Sequence, residues 1–144
     1  MKLIAKWFDE LRTGELYEII RSRAEIFLLE QGIVCQDLDG IDYHSLHCFL
    51  EEDGRVVAYL RAYLTESGDV KIGRVLSLTH GIGLGSKLMT ESLSKIATVW
   101  PERPITLHAQ LHAKGFYEEF GFVATSAEFM EEGVLHIAMT LKQQ

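Results

Sequence analysis

Three glycines lie within five residues in the segment 79–88, THGIGLGSKL, between an apolar run and a helical pattern. Glycine leaves backbone N–H groups unscreened, and the first turn of a helix adds free N–H groups at the positive end of its dipole. A strand, a glycine-rich loop and a helix therefore make a cradle for an anion such as a pyrophosphate. The alternative is an ordinary flexible connection, because glycine clusters are common in loops.

The spacing of this segment argues against the two common nucleotide cradles. A Walker loop ends in Gly-Lys-Ser/Thr, whereas the order here is Gly85-Ser86-Lys87. A dinucleotide fingerprint needs Gly-x-Gly-x-x-Gly, whereas Gly81, Gly83 and Gly85 are spaced two apart. A nucleotide-phosphate enzyme is therefore not expected.

Two histidine pairs have spacings that a metal site uses on one face of a helix. They are His44 with His47, and His108 with His112. The first pair enters a predicted strand and the second spans the end of another, and no cysteine or carboxylate completes either pair at a usual spacing. The sequence therefore predicts no metal site.

Composition limits the class of protein and its partners. The chain has 144 residues, 47% of them hydrophobic, and a net charge of -7. This length suits one domain over residues 1–144. The acidic balance argues against nucleic acid or an anionic membrane as a partner, because phosphate groups would be repelled.

No apolar run reaches the roughly 18 residues of a membrane span. With no signal-peptide pattern and only two cysteines, a cytoplasmic protein is expected.

Apolar periodicity predicts the elements that must hold these residues. Helices are predicted from Thr13 to a cap at Gly32, from the glycine loop to Pro101, and over residues 113–120. Residues 33–45 read as a long acidic loop, either irregular throughout or with one short helical turn. The predicted strands cover residues 2–8, 46–52, 56–64, 70–78, 105–109, about 122–128, and 134–141. The fourth and fifth strands are joined by a helical crossover and should run parallel, whereas the rest of the sheet should be antiparallel.

Two segments carry a resemblance to a known family. The run from His80 to Gly85 resembles Q/R-x-x-G-x-G/A, the acetyl-CoA motif of the GNAT superfamily of N-acetyltransferases, and residues 114–122, KGFYEEFGF, resemble its F-Y-x-x-x-G-F helix. Two signatures in the right order are more specific than either alone. The resemblance covers nearly the whole chain and indicates the ElaA-like branch. His80 departs from the usual Gln or Arg, so a cationic contact there would depend on pH.

The resemblance implies an α/β (α+β) fold, with a mixed, mostly antiparallel sheet of about six to seven strands flanked by helices and with parallel, splayed fourth and fifth strands. It implies direct transfer of an acetyl group from acetyl-CoA to a primary amine of a small molecule or peptide. Tyr117 matches the tyrosine that protonates the leaving thiolate. A backbone N–H near Leu76 or Leu78 would polarise the thioester. The residues implied to bind the cofactor are Leu76, Ser77, Leu78, His80, Gly81, Ile82, Gly83, Leu84, Gly85, Ser86 and Lys87.

The sequence offers several candidates for the general base and a set of carboxylates for the acceptor site. Glu30 and His47 are candidate bases, and the remaining alternatives are a water-mediated route or one of His108, His112 and His136. A cationic acceptor amine would suit the carboxylates of Asp37, Asp39 and Asp42, joined by Glu131 and Glu132. The alternative interpretation of the three aspartates is that they lie in a solvated loop. The alternative interpretation of Tyr117 is that it is an aromatic residue of the core. The alternative function is a non-catalytic CoA-binding module of the same fold, and a homodimer is possible for either.

Overall fold

The computed structural model describes residues 1–143, which form one mixed sheet flanked by helices. The helices are α1 (Thr13–Arg23), α2 (Leu84–Val99) and α3 (Lys114–Glu118). The strands are β1 (Ile4–Trp7), β2 (Leu46–Glu52), β3 (Arg55–Leu64), β4 (Val70–Ser77), β5 (Ile105–Gln110), β6 (Val123–Ala124), β7 (Phe129–Glu131) and β8 (Val134–Leu141). Their order is β1-β2-β3-β4-β5-β8-β6, with β7 paired to the other end of β8. This confirms the predicted fold class.

The first helix changes its winding partway along. α1 continues without a break into a π-helical segment, Ala24–Glu30, in which the N–H of Gln31 bonds to the carbonyl of Ile26, five residues back. The predicted end at Gly32 is confirmed, since this residue has a φ of +68°. The π winding was not predicted. Such turns are rare and are found mostly at functional sites.

The two faces of the sheet differ in polarity. α2 and α3 cover one face, where apolar side chains such as Leu60, Leu88 and Met139 form the main core. α1 covers part of the other face over a smaller cluster that includes Ile19 and Tyr59. Beyond α1 this second face carries polar side chains, and it is lined by Arg61, Tyr63, Lys71, His108 and Gln110.

The parallel strands β4 and β5 separate along their length, as predicted. They pair from Val70 with Ile105 to Ile72 with Leu107, and no paired residues follow. The divergence coincides with a bulge in β4, where Arg74 has a φ of +55° and the register with β3 shifts. A bulge bends and twists its strand, so it turns the end of β4 away from β5.

The segment predicted as one strand over residues 122–128 forms the short strand β6, and a further short strand, β7, follows it at Phe129–Glu131. Ala124 pairs with Met139 and Phe129 pairs with His136, so four residues face two on β8. The hydroxyl of Ser126 accepts a bond from the N–H of Ala138 and closes the resulting bulge. β7 and the turn that follows it then bring Glu131 and Glu132 over the polar face of the sheet.

Candidate active site

A cavity of about 500 Å³ opens where β4 and β5 separate. Its walls come from the end of β4, the end of β5 with α3, the π-helical segment, the acidic loop and the final hairpin. Its lining side chains include Gln31, Cys35, Asp37, Asp39, Tyr63, Arg74, His108, Gln110, His112, Tyr117, Glu131, Glu132 and His136. The cavity thus joins Tyr117 to the acidic loop and the last hairpin, which are far apart in the sequence.

Tyr117 lies in the wall of this cavity and is 8% exposed. Its ring packs edge-on against Phe116 and Phe122, at centroid distances of 5.2 and 6.0 Å. Within residues 1–143 its hydroxyl forms no hydrogen bond with another side chain or with the backbone. Burial raises the pKa of the phenol well above its ordinary value, so the group keeps its proton at neutral pH. Tyr117 is therefore a proton donor facing the cavity.

The glycine loop has the open backbone that an anion cradle needs. Gly81 and Gly83 have φ values of +80° and +82°, and a Cβ at either position would meet nothing within 4 Å. Gly83 immediately precedes Leu84, the first residue of α2, so the free N–H groups of that helix begin here. These residues fit the pyrophosphate of an acyl-CoA.

Gly85 has a different role from the other two glycines. A Cβ there would make an ordinary contact of 3.5 Å with the ring of Phe116, where α2 meets α3. The Gly-x-Gly pattern therefore combines Gly83, which needs a left-handed backbone, with Gly85, which has a helical backbone and room for a Cβ.

We expect alanine to have opposite effects at the two positions. Gly85→Ala should raise the free energy of unfolding by about 0.4 to 1 kcal/mol, because its helical backbone accepts alanine and a 3.5 Å contact is an ordinary one. Gly83→Ala should lower it by about 1 to 2 kcal/mol, because an L-residue is strained at positive φ. Urea unfolding of both variants checks this, and a loss of stability with Gly85→Ala would contradict it.

The charged side chains near the cradle are each paired with a carboxylate. His80 Nε2 lies 3.3 Å from both carboxylate oxygens of Glu30, and Lys87 Nζ lies 2.7 Å from Glu91. Glu30, one of the two candidate bases, therefore lies beside the pyrophosphate loop and does not line the cavity.

The backbone at the end of β4 decides which amide near Leu76 and Leu78 is free to face the cavity. The N–H of Leu78 bonds to the carbonyl of Val57 at 2.8 Å, so it is used within the sheet. Successive N–H groups of a strand point to opposite sides. Leu76 therefore points its N–H towards β3 as well, whereas Ser77 points its N–H towards the separated β5. The polarising amide, predicted near Leu76 or Leu78, stays a prediction, and among these residues Ser77 has the N–H that is not directed at β3.

The end of the π-helical segment spans the gap between the separated strands. Glu30 contacts His80 in the loop after β4, and Gln31 Oε1 accepts a bond from Gln110 Nε2 at the end of β5. Gln110 in turn contacts His112 Nε2 at 2.7 Å. These contacts connect the glycine loop after β4 with the end of β5.

The three aspartates of the acidic loop form a cluster with three arginines. Each arginine contacts two carboxylates: Arg23 reaches Asp37 and Asp42 at 3.1 and 2.7 Å, Arg61 reaches Asp39 and Asp42 at 2.7 and 3.1 Å, and Arg74 reaches Asp37 and Asp39 at 2.9 and 3.4 Å. The cluster is neutral, and it fixes the acidic loop, which has one 3-10 turn at Ile41–His44, onto the sheet. A role of these carboxylates in binding a cationic acceptor stays a prediction.

The arginines keep these carboxylates ionised. Burial alone would raise the pKa of Asp39, but the hydrogen bonds and charge of Arg61 outweigh it and lower the pKa to about 2. The pKa of Asp42 is also lowered, because Arg23 and Arg61 outweigh its burial. A lowered folded-state pKa stabilises the fold above the unfolded value of 3.8. For Asp39 this stabilisation is lost as the pH falls from about 4 to 2.

His47, the other candidate base, lies in the core and does not line the cavity. Its Nε2–H donates to the carbonyl of Asp42 at 2.9 Å, and its Nδ1 accepts from the hydroxyl of Tyr59 at 2.7 Å. Burial lowers the pKa of the imidazole. Both ring nitrogens are therefore occupied, and His47 supports the loop that carries the aspartates.

The final hairpin places a carboxylate between two histidines. His108 Nδ1 lies 2.8 Å from Glu131 Oε1, and His136 Nε2 lies 3.7 Å from Glu131 Oε2.

Across residues 1–143 no group of three His, Cys, Asp or Glu side chains is arranged to hold a metal ion. No helix in that range has the length and apolar character of a membrane span.

Comparison with known proteins agrees with this geometry. The family model for the acetyltransferase (GNAT) domain matches residues 35–143. The chain is 33% identical to protein ElaA of Escherichia coli K12, over 93% of this chain and 94% of that one. The crystal structure of Escherichia coli ElaA superposes with a TM-score of 0.91 at 30% identity, covering 97% of this chain and 99% of that one.

A second solved structure is as similar. The crystal structure of an acyl-CoA N-acyltransferase from Pseudomonas aeruginosa superposes with a TM-score of 0.92 at 34% identity, covering 97% of this chain and 99% of that one. The fold is one that binds acyl-CoA, and the family match includes the glycine loop, the separated strands and Tyr117. The chain belongs to the GNAT acetyltransferase family, in its ElaA-like branch.

Proposed function

We propose that this protein transfers an acetyl group from acetyl-CoA directly to a primary amine of a small molecule or peptide. The observation that carries the proposal is the phenol of Tyr117, which keeps its proton and has no hydrogen-bond partner in the described chain, in a cavity at the separation of β4 and β5. A module that only binds CoA has no use for a proton donor at that place, so Tyr117 favours an enzyme over the non-catalytic alternative.

The donor is held mainly by backbone groups. The N–H groups between Gly81 and Ser86 would bind the pyrophosphate, because glycine leaves them open and the dipole of α2 favours an anion. The amide of Ser77 would donate to the thioester carbonyl oxygen, where negative charge develops during attack. The peptide-like pantetheine arm suits the unpaired backbone between the separated strands.

The reaction needs one bond to form and one to break at the carbonyl carbon. The amine nitrogen attacks that carbon, and the carbon–sulfur bond breaks as the carbon–nitrogen bond forms. The leaving thiolate takes the proton of the Tyr117 phenol. Acid catalysis by a positioned side chain contributes about 10²- to 10⁴-fold to such a step.

Two measurements on the purified protein test this function. Isothermal titration calorimetry with acetyl-CoA should show binding, and the loss of thioester absorbance should show turnover with members of a panel of primary amines and peptides. Binding without turnover on every amine would favour the non-catalytic alternative. Absence of binding would contradict both functions.

Glu30 should weaken donor binding, because its carboxylate lies beside the pyrophosphate loop and holds His80. We expect Glu30→Gln to lower the Kd for acetyl-CoA by roughly two- to fivefold, the size of a surface charge interaction. Calorimetry at low and high salt measures this, and salt should reduce the difference. The control is Glu52→Gln, which changes an exposed glutamate at the end of β2. A weaker affinity after Glu30→Gln would show that the glutamate supports the loop.

A further inference from the structure

His136 presents a free ring nitrogen to the cavity from β8. Its side chain is 9% exposed, and it lines the cavity that also contains Tyr117. Within residues 1–143 its Nε2 makes no hydrogen bond. A side chain that is nine-tenths buried and has an unpartnered polar atom at a cavity wall is arranged to meet a ligand.

The hydrogen bond on the other side of the ring fixes the tautomer. His136 Nδ1 lies 2.7 Å from the backbone carbonyl of Val134. A carbonyl can only accept, so Nδ1 carries the proton and Nε2 of the neutral ring carries a lone pair. The ring also stacks on Phe129, with planes inclined by 25°. His136 is therefore held as a proton acceptor in one orientation.

Glu131 adds a second acceptor next to this nitrogen. One of its oxygens, Oε1, is engaged by His108 Nδ1 at 2.8 Å, and the other, Oε2, lies 3.7 Å from His136 Nε2. Two acceptor atoms at that separation can share the N–H donors of one ammonium group. His108 packs edge-on against Phe129 and so keeps the carboxylate in place.

We propose that His136 Nε2 and Glu131 Oε2 bind the acceptor as a primary alkylammonium ion, and that His136 removes its proton before attack. This inference rests on the proposed acetyl transfer and names the class of acceptor and the base. His136 acts on the reacting nitrogen itself, whereas His108 acts as a positioning residue through Glu131.

The protons balance over the whole reaction. The ammonium gives one proton to His136 Nε2, which later releases it to solvent. The resulting amine forms the bond to the acetyl carbon as the thiolate leaves with the proton of Tyr117. The nitrogen then loses its second proton, which restores the phenol. The products are a neutral amide, CoA with a free thiol, and one proton in solution.

Several charged groups face the same space and contribute to any pH dependence. Glu131 from β7 and His108 from β5 are nearest to His136. The other titratable or charged residues that line the cavity are Cys35, Asp37, Asp39, Arg61, Tyr63, Lys71, Arg74, His112, Tyr117 and Glu132. A rate profile against pH alone would mix their effects, so the test compares amines at one pH.

The first arm of the test needs no turnover. Proton–nitrogen correlation NMR of the imidazole side chains reports which nitrogen of each neutral histidine carries the proton. The signals of His136 are identified by their absence from His136→Gln. We expect a proton on Nδ1 and none on Nε2. A neutral ring with its proton on Nε2 would overturn the proposal.

The second arm compares ethylamine with trifluoroethylamine at about pH 8. An alkyl amine with a pKa near 10 is only about 1% unprotonated there, whereas the fluorinated amine is mostly unprotonated. We expect His136→Gln to lower kcat/KM about 10²-fold for ethylamine and less than about threefold for trifluoroethylamine. The control is His44→Gln, which changes a histidine that does not line the cavity.

The outcomes separate this proposal from the function on which it rests. Equal losses for the two amines, or no loss for ethylamine, would overturn the role of His136 and leave acetyl transfer intact. A wild-type protein that turns over neither amine nor any member of the wider panel would overturn both. Unchanged acetyl-CoA affinity in His136→Gln shows that the variant is folded and that the effect lies on the acceptor side.

Discussion

Replacing Tyr117 with phenylalanine should lower kcat for acetyl transfer by about 10²- to 10⁴-fold, while the Kd for acetyl-CoA stays within about twofold. Phenylalanine keeps the ring that packs on Phe116 and Phe122 and removes only the hydroxyl that faces the cavity. Without a proton donor the thiolate must leave as an anion, so the loss falls on the chemical step. Steady-state kinetics with the best amine of the panel, together with calorimetry, separates the two parameters.

Tyr63→Phe is the matched control, because Tyr63 lines the same cavity and loses the same atom. Its kcat should stay close to that of the wild type. A similar kcat for Tyr117→Phe and Tyr63→Phe would contradict the acid role. Weaker acetyl-CoA binding with unchanged kcat would instead assign Tyr117 to holding the donor.

Replacing Arg23 with methionine should lower the free energy of unfolding by about 3 to 5 kcal/mol. Arg23 is 1% exposed, and its guanidinium bonds to Asp37, to Asp42 and to the backbone carbonyl of Asp37. Methionine fills much of the space but leaves Asp42, whose side chain is 13% exposed, and the more exposed Asp37 with fewer partners. Removing one member of a buried ionic cluster strongly destabilises the folded protein for that reason. Urea unfolding at neutral pH measures the change.

Arg21→Met provides the comparison within the same helix. Arg21 is 46% exposed and pairs with Glu18 at 3.0 Å, so solvent screens the interaction. Its loss should change stability far less than the loss of Arg23. Equal losses of unfolding free energy in Arg21→Met and Arg23→Met would show that helix propensity, and not the buried cluster, determines stability at both positions. Because the cluster fixes the acidic loop, Arg23→Met should also increase proteolysis within residues 33–40.

Much of the fold could be predicted from local pattern. The left-handed residues at Gly32 and in the Asp53-Gly54 hairpin, where Asp53 has a φ of +51°, follow from residue type alone. The parallel pairing of β4 with β5 follows from the crossover between them. The π winding after Arg23 was missed because it changes the spacing by one residue per turn, too little to alter the apolar pattern.

The candidate site was harder to predict than the fold. The glycine loop stood out by its residue types, and the roles of the loop and of Tyr117 followed from the resemblance to the family. The ionic cluster was missed because the aspartates were considered without cations, although a buried strand that contains Arg61 signals that a carboxylate must approach it. His47 and His136 look alike in the sequence. Only the tertiary contacts show that His47 has both ring nitrogens occupied and that His136 has one free.

The two cysteines differ in a way that is useful for labelling. Cys35 is exposed and lines the cavity, whereas Cys48 is buried on β2 and burial raises the pKa of its thiol to about 12. Because the thiolate is the reactive form, a maleimide dye should attach at Cys35 and spare Cys48. The unaltered chain therefore already carries a single attachment point for a fluorophore, at the wall where an acceptor would enter. The same thiol would react with a disulfide reagent used to detect released CoA, so such an assay counts one equivalent of protein as product.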